Sequence, residues 1–172
     1  AQSGYALMAV AAIGRSEQAL PALLLFLAAY AAGNVACFSV VTALRGRTDL
    51  EDWRGLARRR PWLATIMTLG LLSLLGLPPL AGFAGKLALF TATIDAGLAW
   101  VAVAAVLNTV VSLAYYVRII AAMVAPEHVP ERVALLGRAA VAGAVAAGLG
   151  VVAVGLGAAA VLGPAAGAEL LP

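Results

Sequence analysis

The sequence predicts an all-α membrane protein, a polytopic bundle of transmembrane helices in which one helix is discontinuous. Three observations carry that prediction. Hydrophobic residues make up 64% of the chain and charged residues only 11%, against about 25% charged in an ordinary soluble domain. Several apolar stretches reach the length of about 20 residues that crosses a hydrocarbon layer roughly 30 Å thick. One long stretch carries Gly76-Leu77-Pro78-Pro79-Leu80-Ala81-Gly82 at its middle, where two fixed φ angles and two missing backbone donors break a helix.

The net charge of +3 does not imply a nucleic-acid partner. Ten of the eleven basic residues are Arg, and they gather in the polar connections between apolar segments. A basic connection beside a hydrophobic helix marks a cytoplasmic loop, and no aromatic interleaving of the kind that stacks bases accompanies it. The single cysteine, Cys37, lies within an apolar segment. No disulfide or metal cluster is available, and a small packing role suits it.

The elements follow in order. Residues 1–14 are apolar but too short to span, and no basic region precedes them as a signal peptide requires. They are expected to be the end of a truncated transmembrane helix, so that this chain is a piece of a longer protein. A transmembrane helix is expected over 19–44, with Pro21 in its first turn, where a missing N–H costs little. Residues 48–60 read as a cytoplasmic interfacial helix or loop: Thr48-Asp49-Leu50-Glu51 has capping-box spacing, and Leu50, Trp53 and Ala57 share a helical face.

The stretch 62–94 is too long for one straight crossing, since its length as a helix would be about 50 Å. Broken near 77–82, it leaves two halves each too short to cross alone. Charge decides how it crosses. A single broken crossing places the basic loops 45–60 and 118–138 on one side of the membrane, and leaves only Arg15 on the other. Two separate crossings would put those loops on opposite faces. The positive-inside rule favours the single crossing, with both loops cytoplasmic. Further transmembrane helices are expected over 98–124 and 139–162, the last almost wholly Ala, Gly, Val and Leu, which suits close helix packing.

Lys86 is the only lysine. It lies one turn into the second half-helix and well inside the membrane, where a cation costs roughly 2.5–3.5 kcal/mol on insertion scales and is a functional-site hypothesis by default. Irregular backbone at that depth is tolerated only when buried in protein or lining a watery cavity, and transporters build ion sites on broken helices. A lysine can exchange its proton there, whereas an arginine stays charged. The positive end of the second half-helix is the dipole expected beside it. Lys86 is therefore the candidate proton-relay residue. The alternative is a snorkelling or ion-paired lysine, although no embedded acid in the chain offers a partner and Asp95 belongs to a loop.

Other polar residues carry less. Asn34 near Tyr30, and Asn108 in a stripe with Ser112 and Tyr115, could line a hydrated path, but interhelical hydrogen bonds are the commoner use. Tyr116 and Arg118 suit a belt and a snorkelling role at a helix end. His128 reads as a solvated loop residue. With no phosphate loop, metal-ligand cluster or nucleophile–base set, this segment is expected to do no redox chemistry and to bind no cofactor.

The residues also carry a resemblance. Ala1-Gln2-Ser3-Gly4-Tyr5-Ala6-Leu7-Met8, Pro61-Trp62-Leu63-Ala64, Leu74-Leu75-Gly76-Leu77-Pro78-Pro79, Gly82-Phe83-Ala84-Gly85-Lys86 and Ala114-Tyr115-Tyr116-Val117-Arg118 resemble the subunit N family of bacterial NADH-quinone oxidoreductase (respiratory complex I) over about the first two thirds of the chain. The resemblance implies a fragment of an inverted-repeat, antiporter-like fold, holding the end of the second repeat and the terminal helix. It implies that Lys86 is the exit-side member of a chain of charged residues that moves protons, the earlier members lying upstream of Ala1.

The same resemblance implies a bacterial plasma membrane, the other membrane subunits of complex I as partners, and NADH, FMN, iron–sulfur clusters and quinone bound elsewhere in the complex. Related subunits M and L differ around the lysine. The rival readings are a D-type subunit of a multisubunit sodium/proton antiporter, which has a similar Pro-Pro-x-x-Gly-Phe-x-Gly-Lys run, and a membrane scaffold with no transport role.

Overall fold

The computed structural model describes residues 2–44, 48–126 and 138–168, and it is all helical there. Helix α1 spans Gln2–Ala12, α2 Ala19–Ala43, α3 Leu56–Arg59, α4 Pro61–Leu75, α5 Ala81–Asp95, α6 Ala99–Val124 and α7 Arg138–Ala168. Among the described residues two helices, α2 and α6, are long and apolar enough to cross a membrane by themselves. Residues 45–47 and His128, assigned to loops above, lie outside the described residues.

Helix α2 is the hub, packing against α1, α4, α5 and α7. One apolar cluster joins α2, α4 and α7 through Val40, Leu63, Leu71 and Val151, and a second joins α1, α2 and α5 through Tyr5, Met8, Phe26 and Leu89. Side chains too small to hold helices apart set the distances. Cys37 is buried against Gly70, where a Cβ would stand 2.6 Å from its Sγ. At Gly85 a Cβ would stand 2.8 Å from Phe26 Cα, so only glycine lets α5 lie on the backbone of α2. We expect Gly85→Ala to destabilise the bundle by about 1–3 kcal/mol, the usual cost of overpacking, read as earlier thermal aggregation in detergent. Unchanged thermal behaviour would show that α2 yields at no cost.

Apolar residues also face outward, notably Trp100, Val103, Leu107, Val110 and Val111 on α6. A lipid solvent removes the penalty that water would impose on that face. Hydroxyl groups within the apolar helices are satisfied locally, Thr42 donating to Phe38 O, Thr91 to Leu87 O and Thr93 to Leu89 O, as a medium without water demands.

The connection before α4, expected over 48–60 as an interfacial helix or loop, is made of two short turns. A 3-10 turn spans Leu50–Trp53, and the four-residue α3 follows it. Gly55 at φ 71° separates the two, and Asp49 makes no side-chain cap. The capping-box spacing fails because Gly55 ends the run before a full helix can form. Trp53 and Leu56 are buried in the α2–α4 cluster, so the connection folds onto the bundle.

The discontinuous helix is built by an identifiable cap. Helix α4 ends with Gly76 at φ 92°, the Gly76 N–H donating to Ser73 O (2.9 Å) and the Leu77 N–H to Leu72 O (3.1 Å). This is the Schellman arrangement, which needs a left-handed residue and therefore favours glycine. The Pro78–Pro79 bond is cis, and α5 restarts at Ala81. With 15 residues each, α4 and α5 are about 22 Å long, short of the roughly 30 Å layer. Helix α7 covers the break: a Cβ on Gly155 would stand 2.6 Å from both Leu80 C and Ala81 N.

Candidate functional site

The chemistry of the break follows from its prolines. In an unbroken helix the carbonyls of Leu74 and Leu75 would accept from the N–H groups four residues on, at positions 78 and 79. Both positions are proline and have no N–H. Two adjacent carbonyls at the end of α4 are thus left without backbone donors inside an apolar bundle, where an unsatisfied polar group is costly.

Lys86 fills both vacancies. It is only 4% exposed, and its Nζ donates to Leu74 O at 2.9 Å and to Leu75 O at 2.9 Å. The stem runs along the cap, Cδ lying 2.9 Å from where a Gly76 Cβ would be. Below the ammonium is the face of Tyr5, whose ring centroid is 4.5 Å from Nζ, a cation–π contact. The dipole that meets the ammonium is therefore the negative end of α4. This corrects the expectation that the positive end of α5 would be its neighbour: Lys86 starts from α5, but its side chain reaches back across the break. Among the described residues no carboxylate pairs with it, and Asp95 is exposed at the end of α5.

Helix α1 completes the site with two residues three positions apart, which share one helical face. Tyr5 is buried, its ring packed beside Phe26 and Phe90. Its hydroxyl donates to Ala105 O at 3.0 Å and also bonds the Thr109 hydroxyl. Gln2 Nε2 donates to Leu74 O at 2.9 Å, sharing that carbonyl with Lys86, and to the Tyr116 hydroxyl at 3.1 Å. Tyr116 is thereby tied to the break through Gln2. Beyond the belt role expected of it, Tyr116 has a specific partner at the end of α4.

Ser73, fully buried, accepts the Gly82 N–H at 3.1 Å and so joins the last turn of α4 to the first turn of α5. Lys86, Ser73, Gln2 and Tyr30, with Phe26, Ala29, Leu74 and Gly82, line a small cavity of about 10 Å³ to the centre of a water-sized sphere, about the space of a single water. A larger groove of about 380 Å³ between α1 and α2 shares Gln2, Phe26 and Tyr30 with it.

Among the described residues Asn34 and Ser112 make no interhelical bond. Asn34 donates to Tyr30 O and Ser112 to Asn108 O, each within its own helix. Arg118 is exposed near the end of α6. Among the described residues there is no cluster of His, Cys, Asp or Glu that could hold a metal ion. Sequence reasoning singled out Lys86 and missed Gln2, Tyr5 and Ser73. Gln2 and Tyr5 share one face of α1, but nothing in the local pattern says what that face packs against.

A membrane helix bundle with a discontinuous helix, whose broken end is capped by a buried lysine, defines an antiporter-like membrane domain. The chain belongs to the NADH:quinone oxidoreductase/Mrp antiporter transmembrane family, whose pattern matches residues 1–112. It is 46% identical over 150 residues to NADH-quinone oxidoreductase subunit N of Mycobacterium sp. (strain JLS), covering 80% of this chain and 32% of that protein. With NADH-quinone oxidoreductase subunit N 1 of Streptomyces griseus it shares 55% identity over 117 residues, covering 68% of this chain and 25% of the relative.

A chain of respiratory complex I from Thermus thermophilus with bound aureothin superposes with a TM-score of 0.73 at 34% identity, over 88% of this chain and 34% of that one. The chain therefore spans about a third or less of the length of these relatives.

Proposed function

We propose that this chain is the C-terminal part of a subunit N in the membrane arm of a bacterial NADH-quinone oxidoreductase, and that it moves protons across the plasma membrane with Lys86 as a relay residue. The observation that carries this reading is the Lys86 ammonium seated on two carbonyls that Pro78 and Pro79 leave without donors. Those carbonyls, the α4 dipole and the Tyr5 ring hold the charged form at a fixed place in a medium that would otherwise expel it. Release of the proton leaves an amine that still has two N–H groups for the same two carbonyls, so the backbone stays satisfied in both states.

The neighbouring cavity gives the departing proton room for one water. A site made of an amine and backbone carbonyls suits protons better than sodium, since an ammonium does not ligate a cation.

Electron transfer from NADH to quinone, with FMN and iron–sulfur clusters, belongs to other subunits in this reading and supplies the driving force. The described side chains around Lys86 include no redox group. Loops 45–60 and 118–138 face the cytoplasm by their arginines. The test is NADH-driven proton pumping by vesicles carrying the full-length subunit with Lys86→Met. Pumping is expected to fall by at least about tenfold, within the scale of a lost proton-transfer group, in a complex that still assembles. Pumping and electron transfer at the unmutated level would overturn the reading.

A further inference from the structure

The carbonyl of Leu74 has two lone pairs and two side-chain donors, Lys86 Nζ and Gln2 Nε2, both at 2.9 Å. Among the described residues Leu75 O has Lys86 alone. The second N–H of the Gln2 amide goes to the Tyr116 hydroxyl at 3.1 Å. The amide orientation is fixed by chemistry, because an amide oxygen placed against the Leu74 carbonyl would oppose acceptor to acceptor. Gln2 thus spans α4 and α6 from α1, and it holds one of the two carbonyls that the lysine occupies.

We infer that Gln2 is a positioning residue for Lys86: it keeps Leu74 O satisfied when the ammonium moves off the α4 end, with Tyr116 anchoring it there. The consequence follows from counting acceptors. If Lys86 alone served both carbonyls, each excursion of its side chain into the adjacent cavity would orphan two buried acceptors. With Gln2 in place it orphans one, that of Leu75. A carbonyl buried without a donor is costly in an apolar medium, so a standing second donor lowers the barrier to moving the charge.

The cavity lies on the correct side for this, since Gln2 and Lys86 both line it, with Ser73 and Tyr30. Gln2 neither carries the proton nor ionises; it acts through the lysine. The inference rests on Lys86 being the relay residue.

The experiment compares Gln2→Met, Tyr116→Phe and Lys86→Met in the full-length subunit within the assembled complex. Assembly, coupled NADH-quinone turnover, proton pumping and the solvent deuterium isotope effect on turnover are measured on each preparation. Gln2→Met keeps the length of the side chain and removes both donors. It is expected to assemble, to lower coupled turnover by about 3- to 10-fold, the factor an ordinary hydrogen bond controls, and to lower the isotope effect as movement of the ammonium, rather than transfer of its proton, becomes limiting. Tyr116→Phe leaves the bond to Leu74 in place and loosens only the anchor, so it should shift both readouts in the same direction by less.

An unchanged isotope effect in assembled Gln2→Met overturns the inference, because a packing role slows turnover without changing which step is limiting. Should Gln2→Met fail to assemble, an unchanged isotope effect in Tyr116→Phe overturns it instead. Pumping that survives Lys86→Met defeats the relay reading itself. Pumping lost in Lys86→Met with both other variants unmoved defeats only the role of Gln2.

Discussion

Lys86→Arg is expected to silence proton pumping as thoroughly as Lys86→Met, although it conserves the charge. The two substitutions separate what the site asks of residue 86. A fixed cation that merely caps the Leu74 and Leu75 carbonyls is supplied by either basic side chain, and a guanidinium has donors for both. A relay must also let its proton go. Ordinary lysine titrates near 10.4 and arginine well above it, so release from arginine is harder by about a hundredfold or more.

The complex with arginine should therefore assemble, since its carbonyls are satisfied, while NADH-driven pumping in vesicles drops by about two orders of magnitude. Pumping at half the native rate or better would mean that residue 86 acts as a stationary charge, and the relay would have to lie elsewhere. Arginine active with methionine silent would assign the residue an electrostatic role. Both silent in assembled complexes is the outcome a relay requires.

Much of this was legible in the sequence, and the limits have physical causes. Composition and the length of the apolar stretches established a helical membrane protein because lipid allows few other structures to span it. The break was legible because Gly76, Pro78 and Pro79 each have a single strong backbone consequence. The residue that serves it was legible because Lys86 is the one embedded cation. What it binds was not. Position 86 follows the break, which suggested the near end of α5, whereas a four-carbon stem spans a turn and reaches the far end of α4.

The prolines in fact name the missing donors, since positions 78 and 79 are the hydrogen-bond partners of 74 and 75, but only geometry says which side chain supplies them. Gln2 and Tyr5 were illegible for a different reason: their importance comes from packing α1 across α5, a non-local contact that a local pattern does not encode. The partner of Tyr116 was illegible for the same reason, since Gln2 lies on a helix far away in the chain. Within 48–60 the sequence left helix and loop both open, and Gly55 at φ 71° divides the segment into two short turns.

Among the described glycines, Gly82→Ala is expected to have the largest structural effect of any added methyl group. Gly82 is the second residue of α5, and its backbone lies directly on Ser73 of α4. A Cβ there would overlap the Ser73 carbonyl oxygen and stand 2.7 Å from the Ser73 carbonyl carbon. Its neighbours are backbone, which cannot turn aside as a flexible side chain can, and Ser73 itself is fully buried. Retreat on the other side is limited, because Gly155 of α7 already lies against the backbone of residues 79–81.

Relief therefore requires α5 to separate from α4, which breaks the hydrogen bond from the Gly82 N–H to Ser73 Oγ. Overpacking and the lost bond together cost about 2–5 kcal/mol. The displacement also carries Lys86, one turn further on, away from the carbonyls it caps. Assembly yield and thermal stability in detergent should fall together, and the complex that does form should pump poorly. Ser73→Ala is the informative comparison. It removes the same hydrogen bond without the clash and should cost only about 1 kcal/mol, with Lys86 left in place. If Gly82→Ala proves no worse than Ser73→Ala, the contact between the half-helices is loose, and the break positions Lys86 by its prolines and cap alone.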